Sequence, residues 1–468
     1  MTATASRPAM TQRGTAQNRV VQFKRRSAAA DALAISAWTS AAIAVALFLA
    51  AHGPNQFGTL AASVTSIGIL CGLVGADLVL VMLVLAARVP VIDSAVGHDR
   101  AMALHRTLGK PALYLLLSHG FLILIGYAMA ASVNPIAEIG ALWALPDVPL
   151  AIIALGLFIT VVVTSLVAVR RKFPYEFWHV IHLLSYLAVA FAIPHQFSEG
   201  GVLAAGFSRV YWIALYVIAL GSILVFRFVL PVVRSIRHDI RVSAIEQVGP
   251  DVVNIYLSGR DLKALRPAGG QFFVWRFFTG STWWHAHPIS LSASPSNTEA
   301  RITVRALGNG SARLARLPIG TRVWFEGPYG IFTDAARTSP KLAIVAAGIG
   351  VTPVRALFEH SRLAPGEATV LLRASSEEQS YLWDELEALA KQRGANFYTM
   401  VGPRAKGSDT WMSQRDLERH VSLRSAFPDL AHSDLYVCGP EAWTDLVVED
   451  ARANGLPEHQ IHRERFDW

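Results

Sequence analysis

The sequence predicts a multidomain protein: an α-helical six-span membrane bundle, then an antiparallel β-barrel, then an α/β domain with a parallel sheet. Long apolar segments fill the first 230 or so residues, stretches rich in β-formers follow, and strands alternating with helical segments end the chain. These changes of pattern divide the chain into a polar tail (1–29), the bundle (30–235), the barrel (236–335) and the α/β domain (336–468).

Composition favours a membrane protein over a soluble one. Of 468 residues, 53% are hydrophobic and only 16% are charged, which is far from the soluble average. The net charge of +8 lies largely in the N-terminal tail and beside apolar segments, so it indicates membrane orientation rather than nucleic-acid binding. Cys71 and Cys438 fall in the bundle and the α/β domain, which implies no disulfide framework.

Basic residues at the ends of the apolar segments predict their orientation. Residues 1–29 read as a disordered tail without a signal peptide, ending in Lys24–Arg26. The six predicted spans cover about 33–52, 60–87, 105–131, 149–169, 176–197 and 209–230. The loops 53–59, 132–148 and 198–208 contain no lysine or arginine, whereas basic residues occur before the first span, in the other two loops and after the last span. The positive-inside rule therefore predicts a multi-pass cell-membrane protein with both termini in the cytoplasm.

Four histidines occur at matched depths in two of these spans. His105 and His119 lie fourteen residues apart in the third span, about 21 Å along a helix and within about 40° of one face. His182 and His195 lie thirteen residues apart in the fifth span. Two levels of paired imidazoles are what two stacked bis-histidine b haems require. The alternative is that each histidine merely hydrogen-bonds a neighbouring helix.

The fifth span fits this pattern with one angular misfit. Thirteen helical steps place His195 about 140° from His182, and Pro194, directly before His195, could kink the helix and correct the angle. His179, one turn before His182, is an alternative inner ligand whose spacing to His195 fits no better.

The bundle resembles the six-transmembrane ferric reductase and NADPH oxidase superfamily. The resemblance lies in "HRTLG" at His105 and "FWHVIHLL" at Phe177–Leu184. It implies that His105 and His182 bind the iron of an inner haem b, and that His119 and His195 bind that of an outer one.

The segment "HAHPISLSAS" resembles the flavin motif of the same superfamily, in which a strand end lies along the ring of FAD. The motif residues are His287, Pro288, Ile289 and Ser290. The resemblance implies that Ser290 hydrogen-bonds the ring edge near N5 and that His287 faces the ribityl or phosphate region. The family's usual stacking aromatic is replaced here by Ile289, for which Trp283 or Trp284 could compensate.

A cation and a glycine turn follow the flavin motif. Arg305 and the segment from Gly308 to Ser311 offer a positive charge and backbone N–H groups at a helix start, which suits a pyrophosphate. An ordinary turn is the alternative for Gly308–Ser311.

"KLAIVAAGIGVTPVRALFEH" predicts a strand, a glycine turn and a helix, the context of a dinucleotide site. Gly348 and Gly350 would let the backbone approach a pyrophosphate. Thr352 and Pro353 complete a form typical of the ferredoxin reductase superfamily, which 238–468 resembles.

Arg373 and Ser375 end the next strand, where the adenosine ribose normally lies. A cation there suits a 2′-phosphate, which favours NADPH over NADH. A solvated arginine is the alternative.

Two further segments complete the resemblance to this superfamily. The motif from Cys438 through Gly439 to Pro440 implies a cysteine near the nicotinamide, unless Cys438 is only a buried structural residue. Phe466 best matches the aromatic residue that the family places near the C-terminus, over the flavin ring. Trp468 is the alternative for this position.

The resemblance implies an NAD(P)H-dependent transmembrane ferric reductase or NADPH oxidase. Ser290, Cys438 and Phe466 would act where hydride passes from NAD(P)H to FAD, and electrons would leave through the two haems to a ferric chelate or dioxygen. A transport or sensor bundle with a regulatory nucleotide-binding domain is a different function, as is a soluble-type reductase that the spans merely anchor. The sequence does not predict an oligomeric state.

Overall fold

The computed structural model describes residues 9–464 except 53, 171, 199–202, 204–205, 281–282, 307, 406 and 408. Within the described residues the chain forms two compact units. The membrane unit contains 29–92 and 99–227, and the second unit contains 93–98, 228–464 and the described part of 1–28.

The N-terminal half is helical, as its apolar segments predicted. Its helices are α1 (Ala9–His52), α2 (Leu60–Ala86), α3 (Pro90–Val96), α4 (His98–Ala131), α5 (Pro135–Trp143), α6 (Val148–Ser165), α7 (Val167–Arg170), α8 (Tyr175–Ser198), α9 (Gly206–Ile223) and α10 (Leu230–His238). A π-helical turn, Leu224–Val229, joins the last two. Six described helical segments are long and apolar enough to cross a membrane, which agrees with the six predicted spans.

The N-terminal tail differs from its prediction. Residues 9–29, expected to be disordered, form the first turns of α1. The segment has no proline after position 9 and is rich in Ala, Arg and Gln, which are strong helix formers. It also packs within its unit: the Arg19 guanidinium donates to the carbonyl oxygen of Ser339 at 2.9 Å, and the rings of Phe23 and His459 lie 5.4 Å apart.

Three glycines on α2 bring its backbone against α4. An added Cβ would lie 3.0 Å from Leu122 at Gly68, 2.6 Å from the ring of His119 at Gly72, and 3.0 Å from Leu116 at Gly75. Small residues at this spacing allow close helix packing in lipid, where van der Waals contact drives association. This packing fixes the distance between α2 and the histidines of α4.

The second unit begins with an antiparallel barrel, as the sequence predicted. Its strands are β1 (Ile240–Gly249), β2 (Val252–Ser258), β3 (Phe272–Phe277), β4 (His287–Ser290), β5 (Glu299–Arg305) and β6 (Arg322–Tyr329). They follow the order β4-β3-β6-β1-β2-β5, and a bridge between Leu291 and Ile302 joins the two edges. Inward-facing aliphatic and aromatic side chains fill the barrel.

A five-stranded parallel sheet with helices on its faces ends the chain. The strands are β7 (Lys341–Ala347), β8 (Ala368–Ala374), β9 (Asn396–Val401), β10 (Ser433–Cys438) and β11 (Ile461–Glu464), in the order β11-β10-β7-β8-β9. The helices of the barrel and this domain are α11 (Asn309–Leu314), α12 (Val351–His360), α13 (Trp383–Arg393), α14 (Gln414–Glu418), α15 (Leu423–Ala426) and α16 (Glu441–Ala453). β11 was not predicted, because its four residues are too few and too polar to show the alternation or apolar run that indicates a strand. The predicted three-part fold class is confirmed.

Candidate functional site

The membrane unit brings His105 of α4 and His182 of α8 together. Their ring centroids lie 6.0 Å apart, with 59° between the ring planes. An iron bound to two axial imidazoles, with each nitrogen at about 2.0 Å, would separate the centroids by roughly 6 Å. His179, the alternative ligand, lies beside Trp178 with centroids 6.4 Å apart.

Both rings of this pair are oriented through Nδ1. His105 Nδ1 lies 3.1 Å from the carbonyl oxygen of Met82, and His182 Nδ1 lies 3.3 Å from the hydroxyl oxygen of Ser165. That hydroxyl donates to the carbonyl of Val161 at 2.6 Å and accepts from Trp178 Nε1 at 3.2 Å. The geometry fits tautomers with the proton on Nδ1, which leave Nε2 available to a metal, as second-shell partners of ligating histidines do.

The two histidines line an apolar cavity. Besides both histidines, its lining includes Val79, Met82, Leu83, Gly109, Ala112, Leu113, Leu116, Phe158, Val161, Val162, Ser185 and Val189. Aliphatic walls around two imidazoles suit a porphyrin, whose faces are apolar and whose iron takes axial nitrogen ligands. The residues at the inner level therefore supply the chemistry that a haem needs, around a cavity of about 60 Å³ that must widen to admit a porphyrin.

At the outer level, His119 has a hydrogen-bond partner for Nδ1, whereas His195 has none among the described residues. His119 Nδ1 lies 2.9 Å from the carbonyl oxygen of Gly68, and the missing side chain of Gly72 makes room for its ring. His195 interacts electrostatically with His119, and its buried Nδ1 has no hydrogen-bond partner among the described residues. Pro194 lies inside α8, which continues through it to Ser198.

The flavin motif forms β4 of the barrel. Ser290 is 1% exposed, and both its hydroxyl oxygen and His287 Nε2 are buried without a hydrogen-bond partner among the described residues. The carbonyl of Ile289 accepts from Trp275 Nε1 at 3.0 Å, while Pro288 pairs with Val274 on β3. Two buried polar atoms on this strand are therefore free to hydrogen-bond a ligand, the Ser290 hydroxyl as a donor and His287 Nε2 as an acceptor.

Burial, with a smaller contribution from His285, lowers the pKa of His287 to about 4. His287 is therefore neutral at physiological pH, and its bare nitrogen can accept a hydrogen bond from a ribityl hydroxyl. Trp283 and Trp284 are 56% and 50% exposed, and Trp284 stacks near His285 at 4.2 Å.

The predicted pyrophosphate residues already have hydrogen-bond partners. Arg305 Nε donates to Asp251 at 2.6 Å, and Tyr381 donates to the other oxygen of that carboxylate at 2.7 Å. The N–H of Gly308 donates to the hydroxyl of Ser311 at 3.1 Å, which caps α11. Arg305 is therefore oriented by Asp251, which lies in the turn between β1 and β2.

The glycine turn after β7 combines one open position with one tightly packed position. Gly348 has a φ of +53° and open space where a side chain would lie, whereas a Cβ at Gly350 would lie 2.4 Å from the carbonyl oxygen of Cys438. Thr352 donates its hydroxyl to the carbonyl of Ile349 at 3.0 Å. Pro353 is buried in the first turn of α12.

Cys438 ends β10 directly beside this turn and is fully buried. Burial, and then the charge of Glu464, raises the pKa of its thiol well above the usual value, so the sulfur is a neutral thiol. A Cβ at Gly439 would lie 2.9 Å from Trp443, and Pro440 is the N-cap of α16.

Glu464 was missed by sequence reasoning. It is 6% exposed and pairs in register with Cys438 across β10 and β11. Nothing in the charged segment "HRERFDW" marks this glutamate as a buried residue. Phe466 and Trp468 lie outside the described residues.

Arg373 lies at the end of β8, as predicted, but it is not solvated. It is 5% exposed, its Nη2 donates to the carbonyl of Gly402 at 3.1 Å, and its Nε is buried without a partner among the described residues. Burial lowers the pKa of this guanidinium. Ser375 is exposed one residue beyond the strand.

Charged side chains join the barrel to the α/β domain. Arg301 of β5 makes a two-pronged contact with Glu385 of α13 at 2.8 and 2.9 Å. Arg355 of α12 also donates to Glu385, at 2.5 Å, and to the carbonyl of Ser292 at 3.0 Å. This cluster, which sequence reasoning missed, connects the strand after the flavin motif to the helix after the glycine turn.

Two family models match the chain. Residues 71–193 match "Ferric reductase like transmembrane component", and residues 344–449 match "Oxidoreductase NAD-binding domain".

Individual relatives match about half of the chain. "Ferredoxin--NADP reductase B" of Sorangium cellulosum is 36% identical over 244 residues, which are 49% of this chain and 97% of that protein. The "3-ketosteroid-9-alpha-monooxygenase, ferredoxin reductase component" of Rhodococcus rhodochrous is 28% identical over 44% of this chain and 58% of its own length. "Probable metalloreductase AIM14" of Yarrowia lipolytica is 26% identical over 54% of this chain. The chain spans 44% of the length of that metalloreductase.

Among solved structures, the FAD/NAD-binding domain of the nitric oxide dioxygenase from Vibrio cholerae is similar. It is 22% identical, with a TM-score of 0.40, and the match covers 49% of this chain and 99% of that one.

Proposed function

Because the chain belongs to the six-transmembrane ferric reductase and NADPH oxidase superfamily, we propose that it transfers electrons from NADPH across the membrane to an acceptor on the far side. It is a membrane oxidoreductase with an FAD- and NAD(P)-binding half. We further propose that the protein binds two b haems, has both termini in the cytoplasm, and reduces a ferric chelate or dioxygen.

The observation that carries this proposal is the pairing of His105 with His182 at 6.0 Å. Hydrogen bonding to neighbouring helices accounts for one nitrogen of each ring, because Nδ1 of His105 and Nδ1 of His182 each have a partner there. Both histidines also line an apolar cavity, so a second role remains for Nε2 of each ring. That arrangement favours a metal-ligand role over a transport or sensing bundle.

The chain's own residues bind and orient the cofactors. His105 with His182, and His119 with His195, would hold two haems, while β4 would hold FAD through Ser290 and His287. When bound, FAD converts a two-electron hydride into single electrons, and the haems relay electrons one at a time. The Ser290 hydroxyl would hydrogen-bond the flavin ring edge, and the buried thiol of Cys438 would line the nicotinamide position without ionising.

The nucleotide would bind at the turn from Gly348 to Pro353. Gly348 leaves open space for a pyrophosphate, and Gly350 lets the start of α12 pack directly against Cys438. The clamp of Arg301 and Arg355 on Glu385 would keep this turn at a fixed distance from β4. Arg373 and Ser375 would select the 2′-phosphate of NADPH.

The test is NADPH-driven electron transfer in proteoliposomes made with the haem-loaded protein. Haem absorbance is followed anaerobically, and then ferric citrate or oxygen is offered on the side opposite NADPH, with a superoxide trap present. We expect bis-histidine b-type spectra, haem reduction by NADPH and reoxidation by one acceptor. Ser290→Ala should slow reduction by NADPH while dithionite still reduces the haems fully. Purified protein without haem would overturn the proposal and support a transport or sensing bundle.

A further inference from the structure

The second span contains a buried acid that the proposed electron route does not use. Asp77 is the only acidic residue between positions 60 and 86, and it is 1% exposed. Acids at membrane depth are costly and usually functional.

Only one of its two carboxylate oxygens has a hydrogen-bond partner. Ser40 of α1 donates to Oδ1 at 2.5 Å, and the Ser40 hydroxyl lies 2.9 Å from the phenol oxygen of Tyr211 on α9. Oδ2 is buried without a partner among the described residues. Ser40 and Tyr211 are the polar groups that face the carboxyl from α1 and α9, and no charged side chain of the described residues neutralises it.

Asp77 lies midway in depth between the two histidine levels. Gly72 packs on the ring of His119, and Met82 bonds His105 through its carbonyl oxygen. Asp77 is five residues from each of these contacts on the same helix, or about 7.5 Å along the axis. Five helical steps also turn its side chain away from the histidines, toward α1 and α9.

We propose that Asp77 is a redox-linked proton site for the haem pair, an inference that rests on the proposed function. When one electron from the reduced flavin enters the haem pair, the Asp77 carboxylate takes one proton from water and an O–H bond forms at Oδ2. When the electron leaves to the acceptor, that O–H bond ionises and the proton returns to water. Charge within the membrane unit is thereby balanced.

The physical reason is the change of charge near an unpaired carboxylate. A ferric bis-imidazole haem carries roughly one net positive charge, and at about 10 Å in a medium of low dielectric this charge favours an ionised acid. Reduction removes that charge. A carboxylate with a single hydrogen-bond donor in apolar surroundings is then best stabilised by protonation.

The test compares haem midpoint potentials across pH in the haem-loaded, full-length protein, with dithionite as reductant. In the wild type we expect the potential to fall as pH rises, with a slope of up to about 59 mV per tenfold change in proton concentration. Asp77→Asn should flatten this slope. Ser66→Ala is the matched control, because Ser66 is a buried hydroxyl on the same helix and its loss should leave the slope unchanged.

A second measurement keeps the inference testable if Asp77→Asn loses haem. Reduced-minus-oxidised infrared spectra of the wild type should show a protonated carboxyl band that appears on reduction and shifts in D₂O. Ser40→Ala removes the donor to Oδ1 and should therefore shift to higher pH the range in which the haem midpoint potential depends on pH. A pH-independent potential, or the absence of that band, in protein with normal haem spectra would overturn the proton site and leave the proposed function intact.

Discussion

The imidazole rings of His105 and His182 lie 6.0 Å apart on α4 and α8 and are inclined by 59°. This spacing leaves room for one metal atom with a nitrogen ligand from each ring. Because each Nδ1 is already hydrogen-bonded, to Met82 and to Ser165 respectively, the ring edges available for a metal are the Nε2 edges.

His182→Ala should remove the inner haem, whereas His179→Ala should keep it. His182 faces His105 and its Nδ1 lies 3.3 Å from the Ser165 hydroxyl oxygen, whereas His179 lies one turn earlier on the same helix. The b-type haem per polypeptide should fall by about half in His182→Ala, as measured by pyridine haemochrome absorbance in purified protein. His179→Ala is the matched control. Loss of haem from His179→Ala together with full retention in His182→Ala would reverse the ligand assignment.

Gly72→Ala should displace the outer ligand. The new Cβ would lie 2.6 Å from His119 Nδ1, closer than contact distance, so the ring must move away from the Gly68 carbonyl. We expect altered or lost absorbance from one haem, and a shift in one of the two midpoint potentials in a redox titration. Gly156→Ala makes the same change on α6, where nothing lies within 4 Å, and it should leave both potentials unchanged. Identical titrations of Gly72→Ala and wild type would contradict this role for Gly72.

The sequence predicted the depth of the four histidines in the membrane, but it did not predict the residues that surround them. The helical rise, together with the span directions predicted from the basic residues, predicts His105 and His182 at one level. The contacts of Gly68, Gly72 and Ser165 join different helices, and nothing local marks a carbonyl or a hydroxyl as a histidine partner. The spacing of Gly68, Gly72 and Gly75 was the available signal, since small residues three and four apart mark close helix packing.

In the second unit, motifs predicted a candidate site, and burial decides the charge state of its residues. The order of strands and glycine turns predicted where Ser290, Gly348 and Cys438 lie. Sequence did not predict that Arg373 is buried against the Gly402 carbonyl or that Arg305 is held by Asp251, because long-range contacts set solvation.

Arg373→Gln should raise the KM for NADPH about tenfold or more while changing the KM for NADH much less. The guanidinium ends β8, and its Nε has no partner among the described residues, so a 2′-phosphate could supply one; a charge-assisted hydrogen bond of this kind contributes about 1.5–3 kcal/mol. Steady-state reduction of an artificial acceptor with each nucleotide gives the two values. A purely structural arginine, which supports only Gly402, would raise both KM values equally and lower thermal stability.

Glu385→Gln should destabilise the second unit at neutral pH but not in acid. Burial would raise the pKa of Glu385, but hydrogen bonds and charges from Arg301 and Arg355 outweigh it, so the pKa is lowered from 4.5. The ionised clamp therefore contributes stability above about pH 4.5, and this contribution is lost as pH falls through the lower, folded-state pKa. For a side chain that is 34% exposed, we expect a loss of about 1–2 kcal/mol, measured as earlier thermal release of fluorescent flavin from full-length protein. Glu387→Gln, an exposed change on the same helix, should have no effect at any pH. A difference between Glu385→Gln and wild type that persists undiminished below the folded pKa would show that the contact acts through shape rather than charge.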